Sequence, residues 1–282
     1  MFCDYHVHTE YSDDSCYLME DVIRDAIVLG IKEICFTDHV DYGIKLDWDD
    51  PNLIIKENEK TIANVNYPQY FQKIDSLTEK YCNQITIKKG MEFGIQMHTI
   101  DKFQKLFNKY PFDFIILSIH QVENKEFWTN DFQAGLSEAE YYQRYYQEMY
   151  DVVRNYHDYS VLGHMDLIKR YDDKDGYDAF NEHKEIITRI LKYIIEDGKG
   201  IELNTSSVRY GLDDLMPSRD IFQLYYDLGG RIITIGSDSH EKVHLGAHIE
   251  TMKKDLKKIG FKEFCTFKQM KPIFHKLKKM DF

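Results

Sequence analysis

Seven short apolar runs punctuate this chain, and nearly every one ends on, or just before, a histidine, aspartate or glutamate. The runs are Met1–Val7, Ile31–Thr37, Ile85–Glu92, Phe112–Ile119, Tyr159–Gly163, Gly200–Asn204 and Arg231–Gly236. Each has the length of a strand, and amphipathic helical patterns lie between them. Glu20–Leu29 stops at Gly30, a residue suited to a helix C-terminus. Pro68–Cys82 carries apolar residues at helical spacing, and Ser137–His157 opens with Ser-x-x-Glu, a capping-box pattern. Asp178–Asp197 ends at Gly198, and a further helix runs from Pro217, in its first turn, to Leu228. Helices are also expected near Leu245–Ile259 and Phe267–Lys279.

Strands that alternate with helices imply a parallel sheet with right-handed crossovers. Such a sheet either closes into a barrel or stays open and doubly wound. The polar strand ends favour the barrel, because closure brings all seven C-terminal ends to one mouth, whereas an open sheet spreads them along a line. The expected fold is therefore α/β, a distorted, TIM-like (β/α)7 barrel with its active site at the C-terminal ends of the strands. A barrel of this kind takes about 250 residues. The 282-residue chain has no Pro/Gly/Ser-rich linker or internal repeat, so residues 1–282 are expected to form a single catalytic domain.

The residue content supplies a core, with 17 Phe and 21 Tyr. A net charge of −12 argues against a partner that presents a nucleic-acid backbone, which calls for basic tracks. The main basic cluster, Lys253–Lys258 with Lys276–Lys279, is expected on a solvated helical face. No apolar run approaches the roughly 18 residues of a membrane helix, and the N-terminus lacks the blocks of a signal peptide. Five scattered cysteines without a C-x-x-C pair suit a reduced, cytoplasmic protein.

His6 and His8 are two apart, so on a strand both imidazoles face the same way. Asp238-Ser239-His240 repeats the spacing after the last run, while Glu92, His120 and His164 close others. A lone histidine at a strand end is more often a hydrogen-bonded structural residue than a ligand. The recurrence across runs points instead to a metal cluster. Mixed imidazole and carboxylate donors suit Zn, Fe or Mn without selecting among them. Two long connections, from Val40 to about Asn66 and from Gln121 to Gly135, follow strands and so belong to the same face.

The motifs His6-Val7-His8, Thr37-Asp38-His39, Gly90-Met91-Glu92, Ser118-Ile119-His120, Gly163-His164-Met165-Asp166 and Ser237-Asp238-Ser239-His240 span residues 4 to 240. In this order they resemble the polymerase-and-histidinol-phosphatase (PHP) family of metal-dependent phosphoesterases, whose members are distorted seven-stranded barrels. The resemblance implies two or three divalent metals. His6, His8, Glu92 and Asp238 would hold the first. Glu92 would bridge to a second held by His120 and His164. A third would take His39, His240 and a residue after the first strand. Many relatives have a histidine where this chain has Asp14, and Asp13 is the neighbouring alternative. Catalysis would run through His6, His8, Glu92, His120 and Asp238 by way of bound metal and a hydroxide that attacks phosphorus. Asp38 and Asp166 are expected to orient imidazoles, with structural capping as the alternative.

A phosphate ester also calls for arginine. Arg209 is the stronger candidate and Arg170 the second; the alternative for each is a surface ion pair, with Asp213 and Asp214 or with Asp172 and Asp173. Glu202 and Asn204 either bind substrate or order the arginine. A stand-alone chain of this length resembles the family branch that hydrolyses L-histidinol phosphate to L-histidinol and phosphate in histidine biosynthesis. Asp41, Asp47, Asp49 and Asp50 would then face the ammonium group, and Tyr42, Trp48 and Trp128 the imidazole. The expected partner is thus a small phosphorylated substrate, with no nucleic acid and no membrane. The alternatives are a PHP phosphoesterase acting on nucleotides or nucleic acid and a non-catalytic metal-binding PHP domain. An amidohydrolase would want a bridging lysine at a strand end, for which there is no compelling candidate.

Overall fold

In chain order the first elements are β1 (Cys3–Val7), α1 (Met19–Leu29), β2 (Glu33–Phe36), β3 (His39–Val40), α2 (Tyr67–Tyr81), β4 (Thr86–Gly94), α3 (Ile100–Lys109) and β5 (Phe114–Ser118). A small hairpin of β6 (Gln121–Val122) and β7 (Lys125–Glu126) precedes α4 (Glu138–Asn155) and β8 (Val161–Leu162). Then come α5 (Ala179–Glu182), α6 (Lys184–Glu196), β9 (Gly200–Asn204), α7 (Arg219–Asp227), β10 (Ile233–Gly236), α8 (Ile249–Ile259), β11 (Glu263–Lys268) and β12 (Lys271–Lys276). This computed structural model describes residues 1–54, 60–172 and 176–277. Asp173 and Lys278–Lys279, invoked above, lie outside the described residues.

All seven expected strands form, and they pair in parallel in the order β1-β2-β4-β5-β8-β9-β10. β1, β5 and β9 are buried along their whole length, as expected for parallel strands covered on both faces. The ring closes where β1 meets the residues after β10. Val7 bridges Ser239, His8 N–H donates to the Ser239 carbonyl at 2.8 Å, and Ser239 N–H donates to the His6 carbonyl at 3.2 Å. Asp4, wholly buried, clamps this seam by accepting from the Ser237 amide (2.9 Å), the Ser237 hydroxyl (2.5 Å) and the Gly246 amide (2.9 Å). The result is a nearly closed, distorted seven-stranded barrel.

The helices follow their sequence signals with three differences. α3 adds to the expected set. The 178–197 stretch is divided at His183, whose φ and ψ of −112° and 16° interrupt the helix. Pro217 lies outside α7, which starts after Ser218 with the Ser218 side chain accepting from the Ile221 amide. Ser137 and Glu140 form the expected capping box at α4.

The last expected helix is wrong. Residues 263–276 form an antiparallel hairpin, with Glu263 paired to Lys276 and Lys268 to Lys271. Phe267, Met270, Phe274 and Leu277 recur at helical spacing, which hides the strands. The two turn residues, Gln269 and Met270, have φ of +49° and +63°, the geometry of a tight hairpin turn usually signalled by Asn-Gly. The hairpin packs at the end of the barrel away from the strand C-termini. Phe267 contacts Phe114 with ring centroids 5.1 Å apart, and the Phe267 amide donates to the Tyr5 hydroxyl at 2.8 Å. Lys253 is also not a solvated charge: it is buried, donates to the Met1 carbonyl at 2.7 Å and covers the Phe264 ring at 4.5 Å.

Candidate metal centre

Glu92 opens the C-terminal part of β4 that pairs with both β3 and β5, so its carboxylate stands at the centre of the mouth. It is almost wholly buried, and imidazoles surround it. Its Oε1 lies 2.8 Å from His164 Nε2 and 3.1 Å from His120 Nε2, and it accepts from the Ser118 hydroxyl at 2.6 Å. Its Oε2 lies 3.1 Å from His6 Nε2, 3.1 Å from His39 Nδ1 and 3.5 Å from His8 Nε2. Burial opposes ionisation of Glu92, yet the charges of His6, His120 and His39 outweigh it and hold the carboxyl well below its ordinary range.

Asp238 forms the second focus. Its Oδ1 is 3.5 Å from His8 Nε2, 3.6 Å from His240 Nδ1 and 3.7 Å from His6 Nε2. Its backbone is left-handed, with φ +54°. Asp14 forms a third, with its carboxylate 3.0 Å from His240 Nε2 and 3.4 Å from His39 Nε2. Asp13 instead pairs with Lys45 at 2.7 Å. All nine residues expected as ligands are thus brought together from six of the seven strand ends and the loop after β1.

The donor set fits divalent transition metals. His8 Nε2 and His39 Nδ1 are buried beside carboxylate oxygens and make no hydrogen bond. Burial, reinforced by His240 and His39, holds His8 well below the ordinary imidazole value, so its nitrogen is a free base at neutral pH. A lone pair aimed among carboxylates has no partner except a cation. Among the described residues, four groups have donor atoms close enough to share an ion: His8, His39 and His240; His6, His8 and Asp238; His6, Glu92 and His164; and His39, Asp41 and His120. These overlapping clusters have the donors for two or three ions.

Three of the ring nitrogens turned away from the clusters have partners of their own, whereas His164 Nδ1 is buried without one. Glu202 Oε1 lies 2.5 Å from His6 Nδ1, Asp41 Oδ1 2.8 Å from His120 Nδ1 and Ser12 Oγ 3.2 Å from His8 Nδ1. Such contacts set tautomer and ring direction. Two close approaches require glycine. A Cβ on Gly94 would come within 1.9 Å of Asp41 Oδ1, and one on Gly236 within 2.2 Å of His6 Cβ.

Several expected roles change. Glu202 and Asn204 are buried and do not line the cavity: Glu202 holds His6 and the His164 amide, and Asn204 Nδ2 donates to Asp238 Oδ2 at 3.3 Å. The Asp38 carboxylate spends its hydrogen bonds on the Thr9 and Ser12 amides and hydroxyls, shaping the loop after β1. Asp166 likewise binds Lys169 and the Ser218 amide. Each sits beside a histidine in sequence but points elsewhere. Asp41 had a readable signal: it lies two residues after His39, on the same face.

The mouth opens into a cavity of about 390 Å³. Arg170 lines it, 3.6 Å from Asp238 Oδ2 and stacked 3.8 Å over the Tyr210 ring. Arg209 does not line it; its guanidinium donates to the Ser237 and Asp238 carbonyls at 2.9 and 2.6 Å. Lys45, Ile62, Glu126 and Trp128 from the two long connections complete the wall.

A barrel whose mouth gathers imidazoles around shared carboxylates defines a multinuclear metallohydrolase scaffold. The chain belongs to the PHP domain family, which matches residues 4–206. Histidinol-phosphatase of Lactococcus lactis subsp. lactis is 32% identical over 95% of each chain. A Thermotoga maritima relative is 29% identical over 92% of each chain. The crystal structure of histidinol phosphate phosphatase from Lactococcus lactis, complexed with zinc, L-histidinol and phosphate, superposes with a TM-score of 0.81 at 30% identity. That match covers 96% of this chain and 98% of the other.

Proposed function

We propose that this protein is a histidinol-phosphatase, a metal-dependent phosphoric monoester hydrolase that converts L-histidinol phosphate to L-histidinol and phosphate. The carrying observation is the overlap of imidazole–carboxylate clusters around Glu92 at the floor of a cavity that also presents Arg170. Full-length likeness to a phosphatase solved with zinc, L-histidinol and phosphate supports it.

In this reading His6, His8, Glu92 and Asp238 would hold one ion. Glu92, His120 and His164 would hold a second, and His39, His240 and Asp14 a third. Such ions would supply an acidified water and positive charge for the phosphate oxygens. The chain's own groups do the rest. Arg170 receives the phosphate with its planar guanidinium. Glu202 and Asp41 keep His6 and His120 turned toward the centre. Asn204 and Arg209 hold Asp238, one through its side chain and the other through its backbone. The long connections wall the cavity and limit access of bulk water.

We take residues 1–282 as one catalytic unit that works in the cytoplasm. Free cysteines throughout support that compartment. Among the described residues no helix is long and apolar enough to cross a membrane.

The test is phosphate release from L-histidinol phosphate, nucleotides, sugar phosphates and phosphotyrosine by the zinc- or manganese-loaded protein. A preference for histidinol phosphate is expected. Higher kcat/KM for a nucleotide would replace this reading with the nucleotide-directed one.

A further inference from the structure

The end of the barrel opposite the mouth presents an edge strand. β12 pairs with β11 and, among the described residues, with no other strand. One contact fixes which of its backbone groups point outward. The Phe267 amide donates to the Tyr5 hydroxyl at 2.8 Å, and the Phe267 carbonyl lies 3.2 Å from the same oxygen. Both groups therefore face the barrel and not β12, so Phe267 and Pro272 form a non-hydrogen-bonded pair. Alternation turns the backbone of Lys271, Ile273 and His275 toward β11 and that of Pro272, Phe274 and Lys276 outward. Among the described residues no hydrogen bond reaches the outward amides of Phe274 and Lys276. Pro272, which has no amide to offer, occupies an outward position, where an edge strand tolerates it.

The side chains along this edge combine open apolar surface with positive charge. Ile273 and Phe274 leave 41% and 46% of their surface open, one on each face of the strand. From Lys262 to Lys276 there are four lysines and one carboxylate, Glu263, in a chain of net charge −12. Lys268, Lys271 and Lys276 are exposed and, among the described residues, form no ion pair. Lysine and proline on an edge oppose pairing with a second copy of the same edge, which would bring like charges together. The same lysines attract carboxylates.

We propose that β12 is a docking edge for an extended acidic segment of a partner protein, which adds to the hairpin as a third strand. The partner's carbonyls accept from the Phe274 and Lys276 amides. Main-chain bonds of this kind supply affinity, and alternate side chains supply the choice of partner. Apolar residues at the middle of the segment cover Ile273 and Phe274, and carboxylates at its two ends meet Lys271 and Lys276. The matching stretch is six residues, about 20 Å long at 3.4 Å each. Docking there leaves the mouth open, so it tethers the enzyme without altering its chemistry.

The test is a titration of isotope-labelled, zinc-loaded full-length protein with the end-blocked peptide Glu-Thr-Val-Val-Thr-Glu and with Lys-Thr-Val-Val-Thr-Lys, followed at the Phe274 and Lys276 amide resonances. Wild type is expected to bind the acidic peptide at least about tenfold more tightly than the basic one. Phe274→Pro removes an outward amide and an open ring without removing a bond to β11, and should weaken the acidic peptide about tenfold or more. Lys271→Glu combined with Lys276→Glu should reverse the preference. Wild-type turnover and thermal midpoints in these variants exclude misfolding as the source of any loss. No saturable shift with the acidic peptide at millimolar concentration overturns the docking edge, as does equal binding by Phe274→Pro, which would leave only diffuse charge attraction. A wild-type dimer in sedimentation that Phe274→Pro dissolves also overturns it, by giving the edge to a second copy.

Discussion

Asp41 Oδ1 lies 2.8 Å from His120 Nδ1, while the opposite ring nitrogen lies 3.1 Å from Glu92 Oε1. The imidazole is therefore held between two carboxylates that raise its pKa, against burial, to about 9. Lys45 keeps Asp41 charged by pairing with it at 2.9 Å. Asp41→Asn should preserve the fold but lower kcat/KM and zinc affinity about 10- to 100-fold, the usual cost of losing an outer partner of a liganding histidine. Gly94→Ala should do the same by displacing Asp41. Steady-state kinetics with zinc content per chain measures both; unchanged metal content and rate would remove Asp41 from the machinery.

The two arginines should give different kinetic signatures. Arg170 faces the cavity, so Arg170→Ala should raise KM for phosphate esters. Arg209 instead ties down the two carbonyls around left-handed Asp238. Arg209→Ala should lower kcat and metal retention more than it raises KM. Equal KM effects from both substitutions would place Arg209 on the substrate after all.

Stripping the metals should abolish turnover and lower the thermal midpoint. A ligand present at a hundredfold over its Kd stabilises the native state by about 2.7 kcal/mol. Removing it leaves carboxylates and buried imidazole lone pairs facing one another without a cation. Dialysis against a chelator, followed by scanning calorimetry and re-addition of zinc, manganese or iron(II), checks the loss and shows which ion restores activity.

The hairpin at the far end of the barrel should matter for stability and not for turnover. The Tyr5 hydroxyl donates to Glu33 Oε1 at 2.5 Å and accepts from the Phe267 amide at 2.8 Å. Tyr5→Phe leaves a buried amide and a buried carboxylate oxygen without that partner, costing about 1–3 kcal/mol. Chemical denaturation should register this loss while kcat of the folded enzyme stays near wild type.

Much of the site is local in origin and hence visible along the chain. His6 and His8 share a face because strand side chains alternate, whereas Asp238 and His240 lie past β10, where the Asp238 backbone is left-handed. Strand ends carry the remaining candidates, and strand–helix alternation brings those ends together. The same local logic misassigned Asp38 and Asp166. They neighbour histidines in sequence, but turns at the strand ends direct them to backbone amides instead.

Residue pattern alone therefore carried the barrel, its seven strands and most of the groups that converge at its mouth, because each depends on short-range periodicity and chain order; His39 and Asp14 came from the resemblance to the PHP family. The partners that orient those groups came from the folded molecule. Glu202 meets His6 across 196 residues and Asp41 meets His120 across 79. The choice of Arg170 over Arg209 as the cavity-lining cation came from it too, as did the hairpin at residues 263–276. Such pairings depend on where distant segments pack, and no local spacing encodes them.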